Sequence, residues 1–259
     1  MEISIIIVNY NTRALTLKCI SSIRKYPPST AYEIIIIDNG SQEKFGVIND
    51  QLMVIKNKKN LGFAKANNQG IKFAKGRYIF LLNSDTEVTE GSISKLYEFA
   101  KTNKKIGAVV PKLLNSDGSV QASVFTLPTI LNAIKQYWFG QKLLLEKDQL
   151  NINYNQKTLV EVAVMAAFMI TPICLKKVGN LNEKYYLYFE DLDYCKRIKE
   201  ARLKIYYLPE SEIIHYKGAS GGTNKLLTES SKKYHGLLKY YIYTLIIWSG
   251  QKWARFFKR

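Results

Sequence analysis

The chain of 259 residues has few of the residues that staple small folds or build metal clusters. Its three cysteines, Cys19, Cys174 and Cys195, are isolated and odd in number, and no CxxC pair occurs. That excludes a disulfide framework and a zinc cluster, and a reducing, cytoplasmic setting is the expectation. There are only two histidines, His215 and His235. No apolar run reaches the length of a bilayer span. The N-terminal MEISIIIVNYN lacks the basic region and small-residue cleavage site of a signal peptide, so Met1 is read as the start of the folded domain. Acid is also scarce: 21 Asp+Glu stand against 38 Lys+Arg, a net charge of +17. Such an excess calls for an anionic partner, whether nucleic acid, a phosphorylated small molecule or an anionic membrane surface.

What is present is an ordinary globular composition, 47% apolar and 23% charged. Ile3 to Val8 is a β-branched run of the kind buried on both faces of a parallel sheet. Leu15, Cys19, Ile20 and Ile23 then recur at helical spacing, with Thr12 as a candidate cap and Pro27-Pro28 as the stop. Further strands are expected at Glu33 to Ile37, Leu52 to Ile55 and Tyr78 to Leu82, with a helix from about Asn60 to Lys75 before the last. Strands alternating with helices predict an α/β fold with a mostly parallel sheet.

Two nucleotide-binding fingerprints are missing where they would have to lie. NYNTRAL follows the first strand, with no GxGxxG, and no GxxxxGK[ST] loop occurs. A bound nucleoside diphosphate would therefore need another source of neutralisation. A divalent cation held by a strand-end carboxylate suits that task, and Asp85, after the run Tyr78 to Leu82, is the candidate.

Four ordered segments carry a family resemblance: SIIIVNYN (4–11), EIIIIDNGS (33–41), NLGFAKANNQGIKFAKGRYIFLLNSDT (60–86) and YLYFEDLDYCKRIKEARLKIYYLPESEIIHYKGAS (186–220). Together they resemble the inverting family-2 glycosyltransferases, in particular the rhamnosyltransferase-type members of bacterial surface-polysaccharide assembly. The resemblance implies a GT-A fold over residues 1–222, with a nucleotide-sugar-binding half (1–111) and an acceptor and catalytic half (112–222). A basic, aromatic helical tail (223–259) follows.

By that resemblance Val8, Asn9 and Tyr10 line the donor site, with Tyr10 against the base and Asp38 accepting its imide N–H. A plain turn at Asp38-Asn39-Gly40-Ser41 is the alternative. Asn68 is carried over as a further donor contact, whereas Asn60 reads better as a turn residue. Asn83-Ser84-Asp85 stands where the family has its DxD motif, and Asp85 with His215 would hold Mg²⁺ or Mn²⁺. The alternatives are an Asp that caps a helix and a satisfied, partly buried histidine. Lys217 would neutralise the leaving diphosphate. Ala166, Ala167 and Phe168 would lie on the acceptor side, although the same stretch reads equally as a core strand. In Glu190-Asp191-Leu192-Asp193 the resemblance makes Asp191 the base, Glu190 an acceptor-positioning group and Asp193 a helix cap; favourable helix-end charge is the alternative.

The expected donor is dTDP-rhamnose or a UDP-sugar, and the acceptor a saccharide or polyprenyl-linked saccharide. Residues 120–157 read as an irregular, acceptor-dependent insertion, and His235, among Lys232, Lys233 and Tyr234, as solvated. From Lys225 onward there are eight Lys or Arg and one acid, Glu229, around Leu237 to Trp248. This suits either an amphipathic helix on the inner face of an anionic membrane or a helix packed on the domain. A glycosidase, a catalytically dead homologue and a nucleic-acid-binding protein are rival classes. No nucleic acid is expected, because the bases are not interleaved with aromatics in an RNA-binding pattern.

Overall fold

The structure is a computed structural model that describes residues 1–43, 45, 52–139, 153–216 and 223–257. The first half alternates strand and helix: β1 (Ile3–Asn9), α1 (Arg13–Lys25), β2 (Tyr32–Asp38), β3 (Leu52–Lys56), α2 (Phe63–Phe73), β4 (Tyr78–Asn83), β5 (Thr86–Val88) and α3 (Ser92–Lys101). The second half begins with β6 (Ile106–Leu114), β7 (Val124–Phe125) and α4 (Ile130–Phe139). It continues through β8 (Thr158–Val160), β9 (Val162–Ala163), β10 (Ala167–Ile170), α5 (Pro172–Val178), α6 (Glu190–Glu200), β11 (Lys204–His215), α7 (Asn224–His235) and α8 (Leu237–Phe257).

The main sheet runs β3-β2-β1-β4-β10-β6-β11-β5, with β8 also on β11. The pairs β3-β2, β2-β1, β1-β4 and β6-β11 are parallel, while β10 lies antiparallel to both β4 and β6. The sheet is therefore mostly parallel, with one reversed strand at its centre.

The pleat sorts the apolar runs onto two faces. Ile5, Ile7, Ile34, Ile36, Phe80 and Leu82 pack with residues of α1 and α3, such as Ile20, Ile23 and Leu96. Ile6, Ile35, Ile37, Ile79 and Leu81 pack on the other face with Ala64 and Ala66 of α2 and Tyr194 and Ile198 of α6. Because both faces are covered, these strands are continuous apolar runs without alternation. The cysteines are free and buried in the same layers, and burial pushes the thiols of Cys19 and Cys174 up, to about 12 and about 11.

Residues 120–157, expected to be irregular, include the ordered helix α4, against which α8 packs. Gly250 makes that approach close: a Cβ there would meet the Tyr137 carbonyl oxygen at 2.5 Å. Trp138 and Trp253 stack across the same contact with ring centroids 5.8 Å apart. The tail is thus two helices, broken at Gly236 (φ +74°). No helix among the described residues is long and apolar enough to cross a membrane.

Candidate functional site

Strands β1, β2 and β4 end side by side, with Asn9 in register with Asp38 and Val8 with Asn83. Asn9 is fully buried and its side chain is saturated. Its Nδ2 donates to Asp38 Oδ1 (3.1 Å) and Ser41 Oγ (2.9 Å), and its Oδ1 accepts from the hydroxyls of Thr12 (3.1 Å) and Thr16 (2.9 Å). The Asn9 side chain is therefore an internal brace rather than a ligand contact, which corrects the expectation. Thr12 stands at the N-cap position of α1 but makes no capping bond; its hydroxyl instead bridges Asn9 and Ser84 Oγ, at 2.9 Å from the latter.

Asp38 is 5% exposed, and both of its hydrogen bonds, from Asn9 and from Ser41 N, end on Oδ1. The turn reading of Asp38 to Ser41 is realised in part. Tyr10 lies half open on the cleft wall. Asn60 behaves as the turn reading has it, its Oδ1 accepting from Gly62 N and Asn39 Nδ2. Gly62 (φ +86°) admits the Tyr186 loop, whose carbonyl takes the N–H of Phe63 at 2.8 Å; a Cβ at 62 would sit 2.5 Å from that oxygen.

Across the cleft, Asn83-Ser84-Asp85 turns from β4 into β5, so Asp85 caps no helix. The Asp85 carbonyl accepts from Tyr216 N (2.8 Å), which binds the end of β11 to this turn and brings His215 Nε2 to 3.4 Å from Asp85 Oδ1. Gln121 fixes the histidine. Its Nε2 is committed to Asn115 Oδ1 (2.9 Å) and to the His215 carbonyl (3.2 Å), so its Oε1, 2.7 Å from His215 Nδ1, must accept. Nδ1 therefore carries a proton, and Nε2 is the ring nitrogen turned towards the Asp85 carboxylate. A hydrogen-bonded second nitrogen of this kind is the usual support of a metal-binding histidine.

Among the described residues no group of three or more His, Cys, Asp or Glu side chains converges on one place. An ion held here would complete its shell from diphosphate oxygens and water, as Mg²⁺ and Mn²⁺ do. Lys217 lies outside the described residues.

The acidic cluster opens α6. Tyr188 and Phe189 both have φ +68°, an uncommon conformation for large side chains and a sign of local strain. Glu190 and Asp191 both line the cleft. Glu190 is 7% exposed and its Oε2 is buried without a partner. Burial, and secondly the charge of Asp191, push the Glu190 carboxyl up to about 8. Burial also raises Asp191, to about 6, against the opposing N–H of Leu192. Burial thus favours the protonated form of both carboxyls, Glu190 the more strongly, and the two titrate as a pair. Asp193 is not the cap expected of it: it pairs with Arg197 Nε at 2.8 Å and accepts from Tyr185 and Asn182, a brace one turn behind the site.

Other expected site residues are not brought to the cleft. Asn68 is closed on itself, donating to the Leu181 carbonyl and Glu183 and accepting from Leu181 N, so it latches α2 to the approach to α6. Ala167 and Phe168 begin a central strand whose two faces are both covered. Ala167 is buried in one apolar layer, and Phe168 packs on Tyr194 in the other. The cleft is reached instead by Val164, Met165 and Ala166, just before the strand. His235 is half-buried rather than simply solvated. Its ring packs against Phe189, Tyr234 and Tyr243, and burial pushes its pKa down. Gln121 escapes sequence reasoning because it acts only through tertiary partners and sits in no local pattern that marks it, and Thr12 is marked there only as a cap.

The cleft so built holds about 360 Å³ and gathers Tyr10, Asn83, Asp85, Glu190, Asp191 and His215. The family model described as glycosyl transferase family 2 matches residues 4–170. Among curated proteins the chain is similar to the low-salt glycan biosynthesis hexosyltransferase Agl10 of Haloferax volcanii. They are 26% identical over 222 residues, 83% of this chain and 67% of that protein. It is also 26% identical over 152 residues to N-acetylglucosaminyl-diphospho-decaprenol L-rhamnosyltransferase of Mycobacterium tuberculosis, covering 56% of this chain and 48% of that one. Among solved structures, GalNAc-T7 with UDP, GalNAc and Mn²⁺ superposes with a TM-score of 0.67 at 17% identity, covering 90% of this chain and 47% of the other. The fold is thus the GT-A fold that the sequence motifs imply.

Proposed function

This chain belongs to glycosyl transferase family 2, and from that premise we propose that it is an inverting hexosyltransferase of glycan synthesis. It would move a sugar from a nucleoside diphosphate to a hydroxyl of a saccharide acceptor, free or lipid-linked. The observation that carries this reading is the convergence, in one cleft, of the neighbouring Asp85 and His215 with the buried carboxyl pair of Glu190 and Asp191.

In this reading Asp191 accepts the proton of the acceptor hydroxyl as its oxygen bonds to the anomeric carbon, on the face opposite the departing diphosphate. The bond from that carbon to the diphosphate oxygen breaks and its electron pair leaves with the nucleotide, inverting the centre. Glu190, protonated, offers a hydrogen bond to the acceptor. Tyr10 and Asp38 hold the base, and Val8 and Ser84 flank the donor. Asp85, His215 and the amide oxygen of Asn83 would hold Mg²⁺ or Mn²⁺, whose charge would offset that of the diphosphate. For the donor we propose dTDP-rhamnose, the sugar being the one named in the mycobacterial relative. A UDP-hexose is the second reading, favoured by the UDP in GalNAc-T7.

Calorimetric titration with UDP, dTDP and the corresponding sugar nucleotides, with Mn²⁺ or with chelator, tests this. Binding is expected to need the metal and to be lost in Asp85→Ala. Equal affinity with and without chelator would sink the metal role, and no nucleotide binding under any condition would sink the transferase reading. Gln121→Leu, which frees the His215 ring, is expected to weaken Mn²⁺-dependent nucleotide binding by about 10-fold or more, the usual effect of losing such a support. Unchanged Mn²⁺ affinity, followed by electron paramagnetic resonance, would show that Gln121 does not orient the ring.

A further inference from the structure

Asp191 stands in a wall between two cavities. On one side is the cleft just described; on the other is an open cavity of about 700 Å³ bounded by β7, α4, the start of α6, α7 and α8. The second cavity is apolar: Phe125, Phe189, Leu192, Tyr243, Ile247 and Trp248 are among its walls. Its volume is in the range of specific ligand sites.

The outer face of the same helices continues this character. Leu237, Tyr241, Leu245 and Trp248 recur at helical spacing on α8 and are 49% exposed or more, as are Leu238 and Trp253; Leu131 and Phe139 of α4 are 60% and 73% exposed. Lys225, Lys233, Lys239 and Lys252 lie exposed on the two tail helices that carry this surface. An apolar stripe with basic flanks suits the surface of an anionic bilayer. Nothing in the donor chemistry needs such a cavity, because a nucleotide in the cleft would lie on the far side of Asp191. The attacking hydroxyl, by contrast, must come to Asp191 from the side away from the leaving group.

We infer that the cavity between α4, α7 and α8 seats the hydrocarbon chain of a lipid-linked saccharide acceptor. The chain would enter from the membrane past α8, and the saccharide would reach Asp191, the residue that the cavity shares with the cleft. The inference rests on the glycosyl-transfer reading of the cleft and names the acceptor class for that same site.

Geranylgeranyl diphosphate is a suitable probe, followed by the fluorescence of Trp248 in the full chain, below the probe's micelle-forming concentration. UDP and dTDP binding with Mn²⁺ is measured on the same samples. Thr244→Trp and Ile247→Trp fill the cavity from α8, and thermal unfolding checks that each variant is folded. The expected result is saturable binding of the isoprenoid diphosphate, weakened about 10-fold or more by either filling variant, with inorganic pyrophosphate unable to displace it and nucleotide affinity unchanged. Absent or non-saturable isoprenoid binding, or equal binding in a folded filled variant, while nucleotide still binds, would overturn the inference alone. Sedimentation showing a second copy closing the cavity, undisturbed by the probe, would overturn it too. Failure of every nucleotide to bind would instead bring down the reading on which it rests.

Discussion

Asp191→Asn is expected to lower turnover by about 10² or more, the usual worth of a positioned base, with donor affinity nearly intact. The amide fills the same volume and can still accept the N–H of Leu192 (2.8 Å), so the first turn of α6 should hold its place. What is lost is the basic oxygen. Because burial raises the Asp191 carboxyl to about 6, kcat/KM of the wild-type chain should climb as pH rises through that value and level off above it. In the variant that limb should vanish from the residual rate. A variant that keeps both wild-type turnover and the acid limb would place the base elsewhere in the cleft.

Glu190→Gln is expected to stabilise the protein at alkaline pH and leave its stability unchanged in acid. The Glu190 carboxyl is ordinary in the unfolded chain, near 4.5, and raised to about 8 in the fold by burial and by the neighbouring charge. A raised folded value means that its full contribution is present below the unfolded value and is lost as pH rises through the folded one. Above about pH 8 the wild-type fold therefore buries a second negative charge beside Asp191, whereas glutamine does not. The difference should be on the order of 3 kcal/mol, or several degrees in Tm, read from thermal unfolding at pH 5 and pH 9. Equal Tm values at both would mean that Glu190 ionises normally. The same substitution keeps a hydrogen-bond donor in the cleft, so acceptor binding should suffer less than it would from alanine.

The parts of the fold that were legible are those fixed by burial alone. Ile3 to Val8, Glu33 to Ile37 and Tyr78 to Leu82 read as strands because β1, β2 and β4 are covered on both faces and tolerate only apolar side chains. β6 and β11 give a weaker signal. Pro111 and Pro209 interrupt them, and β11 slips register against β6 between Leu208 and Glu212. The reversal of β10 left no local trace, since an apolar strand reads alike in either direction. Ala167 and Phe168, expected at the acceptor, are core residues because both faces of β10 are covered, and the reversal brings the residues just before them to the cleft instead.

For the site, residue type located the charged groups but not their supports. Asp85, Asp191 and His215 stand out as carboxylates and a rare histidine beside strand or helix ends. Gln121, Thr12 and the latch at Asn68 are defined by partners 94, 72 and 113 residues away. No window along the chain contains such information.

The brace at Asn9 sets a rule for how this corner can drift over evolutionary time. An Asn side chain offers two donor hydrogens and one acceptor oxygen with two lone pairs, and here every one is used. Aspartate would forfeit both donors and set a second negative charge against Asp38, while leucine would take one hydrogen-bond partner from each of Thr12, Thr16, Ser41 and Asp38 at once. Positions 9, 12, 16, 38 and 41 should therefore change together or not at all. Among descendants of this chain they form one heritable unit, and exchange at any single member should be visible first as reduced abundance in the cell.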